Sequence, residues 1–307
     1  MFRYEPSDVL QLPDMSVLTD TAMERLRILE IEWKNLPGPE IRKIAAAENS
    51  LAILPIGSLE QHGPHLPTYT DTQIAREVSH RAARAIAEEQ SVLVLPDVWT
   101  GMSEHHLPFG GTISLNFDEL RGVIRGIVRS LKVLGFSRLF IINHHGGNHE
   151  PLQVVSRELA VEFGIPIVYT LPWFIDMPGV ADILITDDIE RTGLVGHACE
   201  AETSVMLRSV PELVRTELIE SGVRESRGIV EYHTGLSRFW SFSELQPTTG
   251  VMGDPRPATP EKGEKLLSLL VDHIVAATRD PELWRVPDDV WTPGRGQGNT
   301  RGASYEG

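Results

Sequence analysis

Residues 51–71 read LAILPIGSLEQHGPHLPTYTD. Leu51 to Ile56 form an apolar run of strand length with no polar alternation, the pattern of a strand buried on both faces of a parallel sheet. The chain then passes into a Gly- and Pro-rich loop that carries Glu60 and His62 and reaches Asp71. Open α/β sheets hold their ligands in the crevice beyond the carboxyl ends of the strands, which is where these three side chains fall.

The same pattern repeats outward from that stretch. Runs at 91–96, 138–143 and 165–170 are rich in Val, Ile and Leu, and stretches near 73–90, 117–135 and 149–163 have helical period. Gly164 is a natural stop for the last of these. The alternation predicts βαβ units and a mostly parallel sheet with helices on both faces, an α/β fold. Residues 172–200 are long and irregular. From about 222 to 258 the chain is rich in Gly, Pro, Ser and aromatics, a plausible active-site wall or oligomer contact. Thr259 is then placed to N-cap a final helix with Pro260 at its first position. No repeat or linker divides the chain. It is read as an N-terminal extension over 1–45, one domain over 46–280, and a Gly-rich tail over 281–307 that is expected to be disordered.

Composition narrows the function. Hydrophobic content of 41% and charged content of 23% are those of a soluble globular protein. A formal net charge of −15 with no basic stripe argues against nucleic acid and against an anionic membrane surface as partners. The N-terminus, MFRYEPSD, lacks a signal pattern and no apolar stretch approaches bilayer length, so the cytoplasm is the expected location. Cys199 is the only cysteine, which excludes an internal disulfide and any CxxC motif; it reads as a small buried thiol at a helix start.

Three more clusters share the chemical character of the first. NHHGGNH at 143–149 follows an apolar run; GHACEAETS spans 196–204; SEHHLPFGGT spans 103–112. The chain's 11 histidines are concentrated in these four stretches, so one site assembled from several strand ends is a better account than coincidence. Carboxylate plus imidazole suits Zn, Mn or Fe(II) rather than a thiolate-type structural zinc. Adjacent His144 and His145 cannot both face one site in extended chain, and Asn148 is positioned to cap the helix that follows. His197 and Glu200 share a face if a helix has begun by then, and Glu202 points elsewhere unless it starts later.

GSLEQHGPHLPTYTD, NHHGGN, HACEAETS and the later GVMGDPRPATPEKGE resemble the creatininase family of metal-dependent amidohydrolases, in order and spacing, from about residue 50 to 270. The resemblance implies a three-layer α/β/α sandwich, two divalent metal ions (Zn, Mn or Fe) and a ring-like homo-oligomer, a hexamer by family resemblance. By motif position Glu60 and His145 hold one metal, His62 the other, and Asp71 bridges them. Ser103 falls at a substrate contact and His197 at a proton-shuttling histidine. In relatives that hydrolyse creatinine, Tyr and Glu follow the metal-binding His, that Glu being a ligand of the second metal, and a Trp lid precedes the shuttle His. Gly146 and Gly147 stand in the first pair of places here and Gly193 and Leu194 in the last. Creatinine is therefore not the expected substrate, and the lost ligand of the second metal is replaced by Glu202 or Glu200, by water, or not at all, with Glu202 favoured because it lies in the Glu-Thr-Ser portion of the motif.

Two divalent metals can lower the pKa of a shared water enough to supply hydroxide near neutral pH, and a histidine such as His197 suits proton transfer to a leaving nitrogen. The expected reaction is hydrolysis of a non-peptide C–N bond in a small cyclic amide or formamide. Rival readings are hydrolysis of an oxidised cyclitol of the 3-dehydro-scyllo-inosose type, trimming of a peptide in cofactor maturation, a metal-dependent isomerase, and a non-catalytic metal-binding protein.

Overall fold

The computed structural model describes residues 31–170, 179–180, 182–184, 196–222, 241–245 and 248–287. Gly193, Leu194 and the tail beyond residue 287 lie outside the described residues. Four strands, β1 (Leu51–Ile56), β2 (Val92–Val94), β3 (Arg138–Asn143) and β4 (Ile167–Tyr169), form one parallel sheet in the order β2-β1-β3-β4. All six residues of β1 are buried, as its unbroken apolar run predicts. β2 is shorter than the 91–96 run: the ladder ends with the Leu95 amide donating to the Ile53 carbonyl, because Pro55 of β1 has no N–H to return to Leu95.

Alternate strand residues feed two cores. Leu51, Ile53, Phe140 and Ile142 face helices α2 (Thr70–Ile86), α5 (Glu200–Ser209) and α6 (Pro260–Arg279). Ala52, Leu54, Leu139 and Ile141 face α1 (Gly38–Ala45), α3 (Phe117–Leu134) and α4 (His149–Phe163). The result is the three-layer α/β/α arrangement, a single domain. α3 shows why these segments are helical. Asn116 and Glu119 make a reciprocal capping box, Leu120, Ile124, Val128 and Leu131 form one buried stripe, and Gly135 at φ 104° ends it. Thr259 caps α6 by accepting from the Lys262 amide.

Residues from both flanking segments join these cores. Ile41 and Ala45 of α1 are buried, and Trp284 packs edge-on against Phe140 while donating its indole N–H to the Ala277 carbonyl. Among the described residues, no helix is long and apolar enough to cross a membrane.

The strand order has one functional consequence. From β1 the chain crosses to β2 on one side, and β3 is then laid on the other side of β1. The carboxyl ends of β1 and β3 thus flank the point where the direction of winding reverses, the usual place for a site in an open α/β sheet. The His144 amide donates to the Ile56 carbonyl at 3.2 Å, so the two loops leave the sheet side by side.

Candidate metal centre

Glu60 and His62 lie beyond β1, Asp71 in the first turn of α2, His145 two residues past β3, and Glu202 in the first turn of α5. All five residues are at most 2% exposed. α2 begins at Thr70, three residues earlier than its periodicity predicts, so Asp71 is held by the helix itself. The close approach of β1 to α2 depends on Gly57, where a Cβ would lie 2.4 Å from the Thr72 amide nitrogen.

The two imidazoles present opposite nitrogens to the centre. His62 donates from Nδ1 to the Glu60 carbonyl at 3.1 Å, which aims Nε2 at Asp71 Oδ1, 3.1 Å away, and Glu202 Oε2, 3.7 Å away. His145 donates from Nε2 to the Met102 carbonyl at 3.0 Å, which aims Nδ1 at Glu60 Oε2, 3.1 Å away, and Asp71 Oδ2, 3.2 Å away. Such backbone hydrogen bonds fix the tautomer and ring orientation of metal-ligating histidines. Asp71 Oδ2 is buried without a well-formed hydrogen bond. The carboxylate of Asp71 therefore faces one imidazole with each oxygen.

Lone pairs converging on lone pairs in a buried space are unfavourable unless a cation lies between them. Three groups of donor atoms, each within 4.8 Å of one another, satisfy the steric demand: Glu60, His105 and His145; Glu60, His62 and His197; His62, Asp71 and Glu202. The donor set is oxygen and nitrogen, suited to a divalent metal, and it fits that group. Without a metal, protons take its place. Burial pushes His62 down, but Asp71 and Glu202 outweigh it and raise the imidazole to about 10. Burial likewise opposes charge on His145, and Glu60 and Asp71 overcome it to hold the ring well above its usual value. Burial raises Glu202 to about 7, with His62 opposing. Glu60 is also pushed up by burial, yet His145 and His106 hold it well below the usual carboxylate range.

His144 belongs to none of the three donor groups, as adjacent residues in extended chain require. Asn148 does not cap α4. Its amide instead donates to the Gly57 carbonyl and accepts from the Met102 amide, both at 3.0 Å, tying together the loops after β1, β2 and β3. The expected capping role fails because Asn148 already has αR dihedrals, which turn its side chain away from the amides of the first turn. α5 starts only at Glu200, so His197 precedes the helix and does not share a helical face with Glu200. Glu200 turns away to an ion pair with Lys262, leaving Glu202 beside His62. Cys199 is the buried thiol expected at this helix start, and burial pushes its pKa up.

His197 lies against His62 with ring centroids 4.2 Å apart and planes tilted by 39°, and it donates from Nε2 to the Gln61 carbonyl at 2.6 Å, so that Nδ1 faces Glu60 Oε1 at 3.6 Å. Its backbone pairs with Met252 in both directions, and Ala198 takes a left-handed φ of 51° to turn the chain into α5. Burial, with His62 and His106 nearby, holds the His197 ring well below its usual pKa, hence neutral. Ser103 is fully buried on the Nε2 side of His145, with its hydroxyl against Ser58 and, at 3.0 Å, that nitrogen.

Several neighbours carry no assigned role in the sequence. His106 places Nε2 3.3 Å from Glu60 Oε1, and its Nδ1 accepts from the Gln61 amide, which also donates to the Gly250 carbonyl. Phe242 covers His106 at 4.3 Å and His197 at 4.9 Å. The described part of 222–258 does line the centre. The SEHH run and the aromatic FWSF stretch were the available signals for these residues, but neither specifies a partner.

The creatininase family profile, described as creatinine amidohydrolase, matches residues 34–278. The mycofactocin precursor peptide peptidase of Mycobacterium ulcerans is 32% identical over 79% of this chain and 86% of its own length. Creatinine amidohydrolase of Pseudomonas putida is 29% identical over 82% of this chain and 95% of its own. A solved structure of creatininase in a manganese form superposes with a TM-score of 0.66 at 28% identity, covering 81% of this chain and 97% of that one. With the family profile spanning most of its length, the chain belongs to the creatininase family of metal-dependent hydrolases.

Proposed function

We propose that the protein hydrolyses a non-peptide C–N bond in a small cyclic amide or formamide, using two divalent ions (Zn, Mn or Fe) held by Glu60, His62, Asp71, His145 and Glu202. The observation that carries this reading is the Asp71 carboxylate, whose two oxygens face His62 and His145 separately. When bound, a pair of divalent ions supplies Lewis acidity and activates water at neutral pH. Glu60, Asp71 and Glu202 contribute three negative charges against four positive ones, which leaves the centre complementary to an oxyanion developing on the substrate.

His197 serves as the proton carrier. Its Nε2–H is committed to Gln61, so Nδ1 takes a proton from the attacking water and passes it to the leaving nitrogen. His106 steadies Glu60, and Phe242 shields the His106–His197 stack from water. Ser103 is assigned the substrate contact, for which its hydroxyl must exchange Ser58 or His145 for the substrate.

The 32% identity to a peptidase over most of both chains supports a second reading, in which the amide lies in a short peptide. The same reading takes the protein as a cytoplasmic homo-oligomer, of hexamer size by family resemblance, which sedimentation would test. Metal analysis of the purified protein, then a screen of the metal-loaded form against cyclic amides, formamides and short peptides, tests the function. Retention of no divalent metal, or no turnover of any of the three classes, would sink it.

A further inference from the structure

His105 sits beside the centre without a place in the five-ligand set. It shares the 3-10 turn Glu104–Phe109 with His106, and the two adjacent rings lie 4.4 Å apart with planes tilted by 49°. His106 reaches Glu60 Oε1, while His105 supplies a donor atom within 4.8 Å of donors from both Glu60 and His145. Its ring lies nearly parallel to that of His145, with centroids 5.7 Å apart and planes at 6°.

The space it uses exists because residue 147 is glycine. A Cβ there would lie 2.8 Å from His105 Cε1, 2.5 Å from His145 Nε2 and 2.3 Å from the Met102 carbonyl oxygen, all closer than real Cβ contacts. The backbone at 147 has therefore moved in against both rings, and any side chain would drive His105 or His145 out of position.

We infer that His105 is a further protein ligand of the metal held by Glu60 and His145, giving that side of Asp71 two imidazoles where the other side has one. This rests on the two-metal reading above. It makes the centre unequal: Glu60, Asp71, His145 and His105 surround one position, and His62, Asp71 and Glu202 the other. The imidazole-rich position fills first and releases its metal last, since nitrogen-rich sites hold the later first-row divalent metals more firmly.

The probe is Co²⁺, added to the chelator-stripped protein and followed by calorimetry and visible absorption. The wild-type protein is expected to bind two equivalents in unequal steps. His105→Ala and His105→Gln should weaken the tighter step by more than ~100-fold, beyond the ~10–100-fold typical of losing an outer-shell partner, and change the cobalt absorption. The weaker step should stay within about twofold of wild type, which shows that the variants are folded. Should both variants fail to fold, hyperfine-shifted protons from the His105 ring in the cobalt-loaded wild type support the assignment, and an unshifted ring overturns it. Wild-type affinity, or a loss inside the ~10–100-fold range with an unchanged spectrum, also overturns it, leaving His105 as packing against His145. His145→Ala separates the two levels of the argument. If that variant loses one equivalent while the His105 variants keep both, only the His105 assignment fails; if the wild type binds no Co²⁺, the metal reading fails with it.

Discussion

Metal uptake by this centre should be steeply pH-dependent, because the metal-free protein holds protons where the ions would bind. His62, raised to about 10, is imidazolium at pH 8, and His145 is held well above its usual value, so both rings carry protons at pH values where a free imidazole does not. Binding at His62 Nε2 and His145 Nδ1 must expel both protons. Each displaced proton weakens binding about tenfold for every pH unit below its pKa, so the His62 proton alone should make the combined two-metal constant fall at least about tenfold from pH 8 to pH 7, and the raised His145 steepens that fall. Below about 7, Glu202 is protonated as well, and the fall steepens by about a further tenfold per unit. Calorimetry of Zn²⁺ binding in buffers of different ionisation enthalpy counts the protons directly and should give at least about one at pH 8. The fold of the metal-free protein is linked with the opposite sign. A histidine whose folded pKa is raised contributes stability that is complete below its unfolded value, near 6.5, and is lost as pH rises through about 10. The metal-free protein should therefore weaken between pH 6.5 and 10 by an amount on the order of several kcal/mol, while the metal-loaded form does not. Release of less than one proton, with an affinity flat between pH 7 and 8.5, would refute the tautomers and ligand atoms assigned here.

Glu202→Gln should lower metal content by about one equivalent and Glu200→Gln should not; the reverse result would make Glu200 the ligand. His197→Ala should keep its metal and lose roughly 10²–10⁴ in turnover, measured on whichever substrate the screen yields; loss of metal would instead make His197 a ligand. Creatinine should not be turned over at a useful rate by the metal-loaded protein, because Gly146, Gly193 and Leu194 lack the family's creatinine contacts; robust hydrolysis would show that those contacts are dispensable.

The parts legible in the sequence are those set by local pattern. The limits of β1 and β3 are read correctly from their apolar runs, whereas β2 stops where Pro55 on the neighbouring strand has no N–H to offer and β4 begins only after Pro166, where the ladder loses a donor. The four His- and acid-rich stretches mark the centre because each follows a strand or opens a helix. Partnership was not legible. Whether Asn148 caps α4 or braces three loops depends on the position of Gly57 and Met102, more than 40 residues away. The cover supplied by Phe242 depends on a return of the chain that no periodicity encodes.

The acids of the centre show the same division at the level of charge. Glu60, Asp71, Glu200 and Glu202 are all buried, and all have the chemistry of a ligand. Four carboxylates around two divalent ions would leave no net positive charge to act on a substrate. Lys262, on the first turn of α6, pairs with Glu200 and also donates to the Pro257 carbonyl, which removes one carboxylate from the account. Three remain facing the imidazoles. The pairing is possible because α5 starts at Glu200: residues 200 and 202 are then about 200° apart around the axis, so the second faces His62 while the first faces α6. A helix begun three residues earlier would carry His197 within it, and the His197 backbone could not make the extended exchange with Met252 that turns its ring onto His62. The start of α5 thus decides which glutamate faces the centre and where His197 stands.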